Sequence, residues 1–583
     1  MSAVRRGLPV DQEARDRAVS DLDSSYCMEA GAGTGKTTLL VGRYLSIVKS
    51  GRAGCRQIVA ITFTEKAAAE MKSRLRRDLE RALVDSGEET DERANLSAAI
   101  DELEGAPIST IHAFASSILR EYPVEAGVDP GFKLLDEIEG AMLLDECWNA
   151  FLGSASKDQA GLLRTWDMAG GSSSKLRDIA MSLYYNRGRR ALSGLFDEPG
   201  QAGARERGGG ATRAHGSGDG SPEAGGLAGL FEQAAARLGD LLESSQVDPE
   251  DRGLPRIGAF LDGMDILRSR TGRVEEEDAL VFAVPKGAGS MSNWDPPGSC
   301  REQKAILQRL ADAQAEARTG VVTGMREELT GWLGGFLESV ERRKRDEGLL
   351  DFDDLLIMAR ELVDDEAVLR SIRRRYRYFL VDEFQDTDPV QAELVMLLAG
   401  GGGEEILPDP GRLFIVGDPK QSIYRFRKAD IEIYEKVKRR FRESGSLLRI
   451  SQNFRSLPGV TEWVNALFSR IITCPEGRYY QPDYEPVHAW REGDEAAVIS
   501  LGLEPGETGA DAWRRAEGSA VAGFIRALVD SGREVMDPVD RSRRPVRLGD
   551  IAVLYRGTTG IEHYEDSLRE GGIPYIVEGG KLY

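Results

Sequence analysis

Near the N-terminus, Ala30-Gly31-Ala32-Gly33-Thr34-Gly35-Lys36-Thr37 places three glycines, a lysine and a threonine in the x-x-x-x-Gly-Lys-Thr spacing. In such a loop, set between a strand and a helix, backbone N–H groups point at phosphate oxygens. Glycines at 31, 33 and 35 permit the tight wrap, because a side chain there would block the close approach. Lys36 brings positive charge to β- and γ-phosphates, and Thr37, followed by Thr38, supplies a hydroxyl for Mg²⁺. Ala30 stands where the general pattern has its first glycine. The chemistry implied is the grip on a nucleoside triphosphate.

Three further strings add to it. Val381-Asp382-Glu383-Phe384-Gln385-Asp386 follows an apolar run, so its acids fall at the carboxyl edge of a sheet, where the phosphate loop also falls. Asp382 is placed to hold Mg²⁺, and Glu383 to orient or deprotonate an attacking water. Alone, the pair reads equally as an acidic turn at a strand end. Gly417-Asp418-Pro419-Lys420-Gln421-Ser422-Ile423-Tyr424-Arg425-Phe426-Arg427 offers Gln421 as a γ-phosphate sensor. Tyr424 and Phe426 alternate with Arg425 and Arg427; aromatic faces stack on bases while arginines meet phosphates, at ~1–3 kcal/mol per stacked base. A turn with buried aromatics would look similar. Gln452-Asn453-Phe454-Arg455-Ser456 offers Arg455 as a γ-phosphate arginine and Phe454 as a stacking surface for the base. Its bland alternative is a surface arginine.

These residues need a scaffold. Val19–Glu29 reads as a strand entering the glycine loop and Lys36–Lys49 as the helix after it. Ile58–Phe63 is a buried strand; Thr64 then caps a helix through Met71. Ile108–Ile111, Tyr378–Val381 and Leu413–Val416 are further strands, and Leu447–Ile450 is expected to open another α/β segment. That segment continues with a strand at Ile551–Leu554 and a helix near 562–570. The alternation implies an open parallel α/β sheet. Between Glu137 and Glu347 helical periodicity dominates, as in Ala305–Glu347, which reads as an insertion. Pro199–Gly226 is expected to be a disordered loop, and Val284–Cys300 a second loop.

Bulk properties set bounds. The chain has 583 residues, of which 41% are hydrophobic and 30% charged, ordinary for a globular protein of several domains. Five scattered cysteines and four histidines form no metal or disulfide pattern. No stretch resembles a membrane span or a secretory signal, so the protein is expected to be cytoplasmic. The net charge of -21 means that charge composition gives no support for nucleic acid; motifs must carry that inference.

Taken in order, the four strings resemble the UvrD/RecB-like superfamily 1 DNA helicases. So do Thr62-Phe63-Thr64-Glu65-Lys66-Ala67-Ala68-Ala69-Glu70-Met71, Ser109-Thr110-Ile111-His112-Ala113-Phe114 and Leu350-Asp351-Phe352-Asp353-Asp354-Leu355-Leu356. The long insertion between His112 and Asp382, and the run Tyr122–Asp136, are closer to the RecB/AddA type. The resemblance implies RecA-like P-loop domains with ATP and Mg²⁺ between them. It implies DNA contacts by Thr62, Phe63, Thr110, His112, Tyr424, Phe426 and Arg427. It further implies 3′-to-5′ travel on single-stranded DNA, action on duplex ends in repair and recombination, and a second subunit of a helicase–nuclease complex. On this reading residues 1–115 are the first part of domain 1A, 116–348 a helical domain 1B, 349–445 the second part of 1A, and 446–583 an incomplete domain 2A. The family's adenine-reading glutamine has a candidate in Gln12, although the register of Ala18-Val19 places Arg15 there. The family's later motifs V and VI have no counterpart, so the chain is expected to be an N-terminal portion. A fragment that binds ATP and single-stranded DNA without productive turnover is the alternative. No Leu-Ser-Gly-Gly signature of another ATPase class is present.

Overall fold

Six short strands pair in parallel into one sheet: β1 Tyr26–Ala30, β2 Ile58–Thr62, β3 Ile108–Thr110, β4 Tyr378–Val381, β5 Leu413–Gly417 and β6 Leu447–Ile450. Their order across the sheet is β6-β1-β5-β4-β2-β3. The computed structural model describes residues 8–87, 90–190, 226–401, 407–473, 481–493, 498–502, 509–537 and 542–577. The expected loop at Pro199–Gly226 lies, apart from Gly226, outside the described residues.

The central strands are buried along their whole length, which is why they read as unbroken apolar runs rather than alternating ones. Period-2 geometry divides their side chains between two cores. Cys27, Val59, Ile61, Phe379, Val381, Leu413 and Ile415 face one, with Phe114, Ile118, Leu355, Leu394 and Tyr434 from helices 111–121, 352–362, 389–398 and 431–443. Tyr26, Met28, Ile58, Ala60, Leu380 and Phe414 face the other, against Leu40, Tyr44, Ile47, Met71 and Leu75 from helices 36–49 and 65–85. The result is a three-layer α/β/α unit of the RecA type.

Caps start the helices where chemistry is expected. The Thr64 hydroxyl accepts from the Ala67 N–H and opens helix 65–85, and Thr110 does the same for helix 111–121 through Ala113. Helix 36–49 begins as expected, after Gly35 in the left-handed region at φ +87°.

Four sequence expectations are corrected. Val19 belongs to a helix, Gln12–Ser20, and the strand starts only at Tyr26; Arg15, Ala18 and Leu22 are buried at helical spacing. Leu447–Ile450 does not open a new unit at 446. It pairs with β1 from Cys27↔Leu447 to Ala30↔Ile450, and the first compact unit runs on through Arg455. Ile551–Leu554 forms no strand, and Leu554 is exposed. The loop expected at 284–300 ends early, because Pro297 starts a helix that runs to Gly324.

The insertion is helical as expected, with one core around Trp148, Trp332 and Phe336 and another around Phe231, Phe260 and Leu307. A buried ionic cluster ties it to the segment before β4. Arg187 Nη2 donates to Asp351 Oδ1 at 2.6 Å and to Asp354 Oδ1 at 2.8 Å, and Lys344 Nζ to Asp354 Oδ2 at 2.5 Å. Burial alone would raise the Asp351 carboxyl; Arg187, Lys344 and its hydrogen bonds outweigh that and hold it well below the usual range.

A second compact unit comprises 456–466 and 491–583. Within it helix 510–530 packs on helix 561–570 through Ala522, Ile525 and Leu568, and Glu534–Met536 pairs antiparallel with Arg543–Pro545.

Candidate active site

Every strand of the sheet delivers site residues from its carboxyl end, the position at which open α/β sheets bind ligands. β1 runs into the glycine loop, β2 into Thr62–Thr64, β3 into Thr110–His112, β4 into Asp382–Glu383, β5 into Asp418–Gln421 and β6 into Gln452–Arg455.

Around the glycine loop the expected groups converge. Gly33 has φ +71°, and a Cβ there would sit 2.7 Å from Cβ of Arg455 and 2.9 Å from Nδ2 of Asn453. Asn453 Nδ2 donates to the Ala32 carbonyl at 2.7 Å, and the Phe454 N–H to the Gly33 carbonyl at 2.8 Å. Arg455 therefore lies against the phosphate loop itself, held there by the pairing of β6 with β1, and not in a further α/β segment. Thr34 is buried with its hydroxyl on the Gly31 carbonyl, whereas Ala32 and Thr38 are exposed. Lys36 Nζ is 2.8 Å from Glu383 Oε2.

Glu383 is one of two non-glycine residues with positive φ among those described, at φ 52°. Such a pose costs of the order of 1–3 kcal/mol and clusters at functional sites. Gln385 fixes it: its Nε2 donates to Glu383 Oε2 at 2.9 Å, while its Oε1 accepts the Asp418 N–H at 2.9 Å. Asp418 in turn receives Gln421 Nε2 at 2.6 Å. Asp382 faces Thr37, with Oδ2 3.5 Å from the threonine hydroxyl. Burial, and secondarily the Glu383 charge, push the Asp382 carboxyl up to about 6. A desolvated carboxylate beside a hydroxyl and a lysine fits a divalent cation with phosphates, since the cation supplies the charge that Asp382 lacks.

Gln12 and Arg15 exchange importance. Gln12 Nε2 donates to Asp16 within its own helix. Arg15 is buried; it donates to Asp11, to the Thr34 carbonyl at 2.9 Å and to the Gln452 carbonyl at 3.3 Å, and its guanidinium lies 4.8 Å from the Phe454 ring centroid. Asp11 also accepts the Ser451 and Gln452 N–H groups at 2.8 Å. Trp490 flanks Phe454 at 5.6 Å. Sequence reasoning missed the Asp11–Arg15 clamp; the register of Ala18-Val19 was its only trace.

Beyond β2 and β3 lies an aromatic face. Phe63 and Tyr424 are 4.6 Å apart, Tyr424 and Phe426 5.7 Å, and Arg427 sits over both rings of the 424–426 turn. Phe426 is 78% exposed, which removes the buried-core reading of this turn. His112 meets Phe352 edge-on at 5.6 Å, and burial lowers its pKa. Thr110 caps its helix and donates to Glu65 at 2.7 Å. Thr62 is buried with its hydroxyl on the Thr64 carbonyl, so it shapes this loop from beneath.

No helix among the described residues is long and apolar enough to cross a membrane. The chain is similar to proteins named as a subunit of an ATP-dependent helicase/nuclease. It is 26% identical to that of Listeria monocytogenes serovar 1/2a over 97% of this chain and 49% of the relative. For Bacillus velezensis the identity is 27%, over 94% and 47%, and for Limosilactobacillus fermentum 28%, over 98% and 47%. The chain thus spans about half the length of these relatives. Residues 11–442 match the UvrD/REP helicase N-terminal domain, and with the phosphate loop, the acidic strand end and the aromatic turn in their places, the chain belongs to the UvrD/REP helicase family.

Proposed function

We propose that this chain is the ATP-binding part of a DNA helicase that travels 3′-to-5′ along single-stranded DNA. The observation that carries the reading is the shared sheet edge: Lys36, Thr37, Asp382, Glu383 and Gln421 gather around the glycine loop, and the aromatics at 63, 424 and 426, half-buried at 63 and 424 and exposed at 426, continue from the same strand ends.

The chemistry follows from these positions. Backbone N–H groups of the 31–37 loop and Lys36 bind the β- and γ-phosphates. Thr37 and Asp382 hold Mg²⁺, which when bound neutralises charge on the phosphate oxygens. Glu383 orients a water in line with the γ-phosphorus and takes its proton, and Gln421 senses whether the γ-phosphate is present. Arg455, against Gly33, adds positive charge where the transferring phosphoryl group develops negative charge. Phe454 and Trp490 offer apolar surface to the base. Phe63, Tyr424 and Phe426 stack on successive bases of a single strand, with Arg427 on its backbone, and His112 with Phe352 extends that face.

Residues 1–115 and 349–455 form the RecA-like domain 1A in this reading, and 116–348 the helical domain 1B. The relatives' name, that of one subunit of an ATP-dependent helicase/nuclease, supports a helicase activity and assembly with a second subunit; action on duplex ends in repair and recombination is part of the same proposal. Travel direction rests on family membership.

Lys36→Ala tests the proposal. DNA-stimulated ATP hydrolysis is expected to vanish; robust hydrolysis by the variant refutes the assignment. Nucleotide binding measured in parallel on the parent chain separates a working ATPase from a chain that binds without turnover. Unwinding of duplexes with 3′ or 5′ single-stranded tails decides direction.

A further inference from the structure

The second non-glycine residue with positive φ is Lys428, at φ 70°. It ends the short helical turn Arg425–Arg427: its N–H donates to the Arg425 carbonyl at 3.0 Å, and the Ala429 N–H to the Tyr424 carbonyl at 3.3 Å. A side chain in this backbone region is strained, so the pose must be held by something else. The two backbone hydrogen bonds, in the pattern of a helix C-cap, hold it, and the side chain is tied separately by an ion pair, Lys428 Nζ to Asp353 Oδ2 at 2.5 Å. Asp353 lies in the first turn of helix 352–362, next to Phe352, and its Oδ2 is also 3.6 Å from Arg187 Nη1. One end of this pair is therefore attached to the turn that carries Tyr424, Phe426 and Arg427. The other is attached to the residue after Phe352, whose ring contacts His112.

We propose that Lys428 is a positioning residue of the nucleic-acid face: pinned to Asp353, it fixes the spacing between the set Phe63, Tyr424, Phe426 and the pair His112, Phe352, so that one strand meets both. The inference rests on the reading of that face as a DNA-binding surface. The side chains of Lys428 and Asp353 are 39% and 29% exposed, so solvent reaches the pair without separating it. A direct phosphate contact by Lys428 would require its ammonium to leave Asp353; in the observed pose it is engaged as a strut. Loss of the strut frees the aromatic turn to sample other spacings, and the ordering lost must be supplied on binding.

The test uses the whole chain with Lys428→Gly, Lys428→Arg and Phe426→Ala. Glycine adopts φ +70° without strain, so Lys428→Gly leaves the observed backbone conformation accessible and removes the strut. Binding of a fluorescent oligo-dT is measured over a range of salt. Lys428→Gly is expected to weaken binding about three- to tenfold with an unchanged slope of log affinity against log salt, and Lys428→Arg to restore it. A slope reduced by about one means that Lys428 itself neutralises a phosphate, which overturns the proposal. Parent-like binding by Lys428→Gly alongside weakened binding by Phe426→Ala also overturns it, as does failure of Lys428→Arg to restore affinity. If Phe426→Ala too binds like the parent, the DNA reading of this face falls and the proposal falls with it.

Discussion

Replacing Glu383 by glutamine is expected to move nucleotide binding and turnover in opposite directions. Glu383 Oε2 is 2.8 Å from Lys36 Nζ, so the lysine that must reach the phosphates is held by the carboxylate that must later handle the water. Any triphosphate entering the loop has to displace that carboxylate. The side chains are 11% and 36% exposed for Lys36 and Glu383, between a buried and a surface pair. The competition is therefore worth ~1 kcal/mol, the upper end of exposed pairs. Removing the charge also relieves Asp382, whose carboxyl is raised to about 6 by burial first and by Glu383 second. Glu383→Gln keeps the Gln385 contact as a neutral hydrogen bond and strains the backbone no more than glutamate does. It is expected to tighten equilibrium binding of a fluorescent ATP analogue about fivefold or more. Hydrolysis is expected to fall about 10²- to 10⁴-fold, the share of general acid–base catalysis. Binding that weakens would refute the competition, and turnover that persists near the parent rate would refute the catalytic role of Glu383.

Three other changes probe the scaffold. Gly33→Ala places a Cβ at φ +71° and 2.7 Å from Arg455 Cβ; loss of analogue binding is expected, and parent-like affinity would show that the loop does not wrap as described. Asp388 caps helix 389–398 by accepting the Gln391 N–H at 2.9 Å, yet burial, ahead of the Asp353 charge, lifts it to about 6. A carboxyl raised above its unfolded value opposes folding at pH above its folded pKa, and the opposition fades as pH falls from about 6 to about 4. Asp388→Asn keeps the cap and is expected to be more stable by ~1–3 kcal/mol at pH 7, with the difference gone near pH 4 in denaturant melts; a gap that does not vary with pH contradicts this. Arg360 and Glu393 pair at 2.8 Å with side chains 2% and 0% exposed. Arg360→Met strands the carboxylate and is expected to cost ~3–5 kcal/mol in melts, much of it recovered when Glu393 is also made Met; a harmless single change rules out a charged buried pair.

The phosphate loop was legible because its chemistry is written locally: Gly33 and Gly35 take positive φ, and helix 36–49 starts where the loop requires. The strands were legible because full burial makes continuous apolar runs. What remained hidden depends on pairings distant in sequence. Nothing in Leu447–Ile450 announces that its neighbour is β1, at the other end of the first compact unit, so it read as the start of a new one. Arg15 looked like an interruption of the glutamine pattern, because its partners Thr34 and Gln452 lie in two other parts of the chain. Nothing local in the sequence joins Asp353 to Lys428, 75 residues apart, either. Conversely, the apolar run at 551–554 has strand composition but forms no strand, since ladder partners rather than composition make one.

Between the two halves of the site the contacts are continuous. Lys36 pairs with Glu383, Glu383 accepts from Gln385, the carbonyl of that amide accepts the Asp418 N–H, and Asp418 accepts from Gln421, three residues before Tyr424. Gln385 is 2% exposed, and its amide is engaged at both ends. Gly417 lets it approach, since a Cβ at 417 would lie 2.9 Å from Gln385 Oε1. When a phosphate takes Lys36 from Glu383, the carboxylate has two courses. It can carry Gln385 with it, which pulls on Asp418 and the turn beyond, or it can part from Gln385 and leave a buried amide donor with weaker pairing. In the second course Gln385 Nε2 keeps its other acceptor, Asp386 Oδ2 at 3.1 Å, so the donor stays paired. Gln385 thus links the lysine of the phosphate loop to the root of the aromatic turn through one chain of hydrogen-bonded side chains.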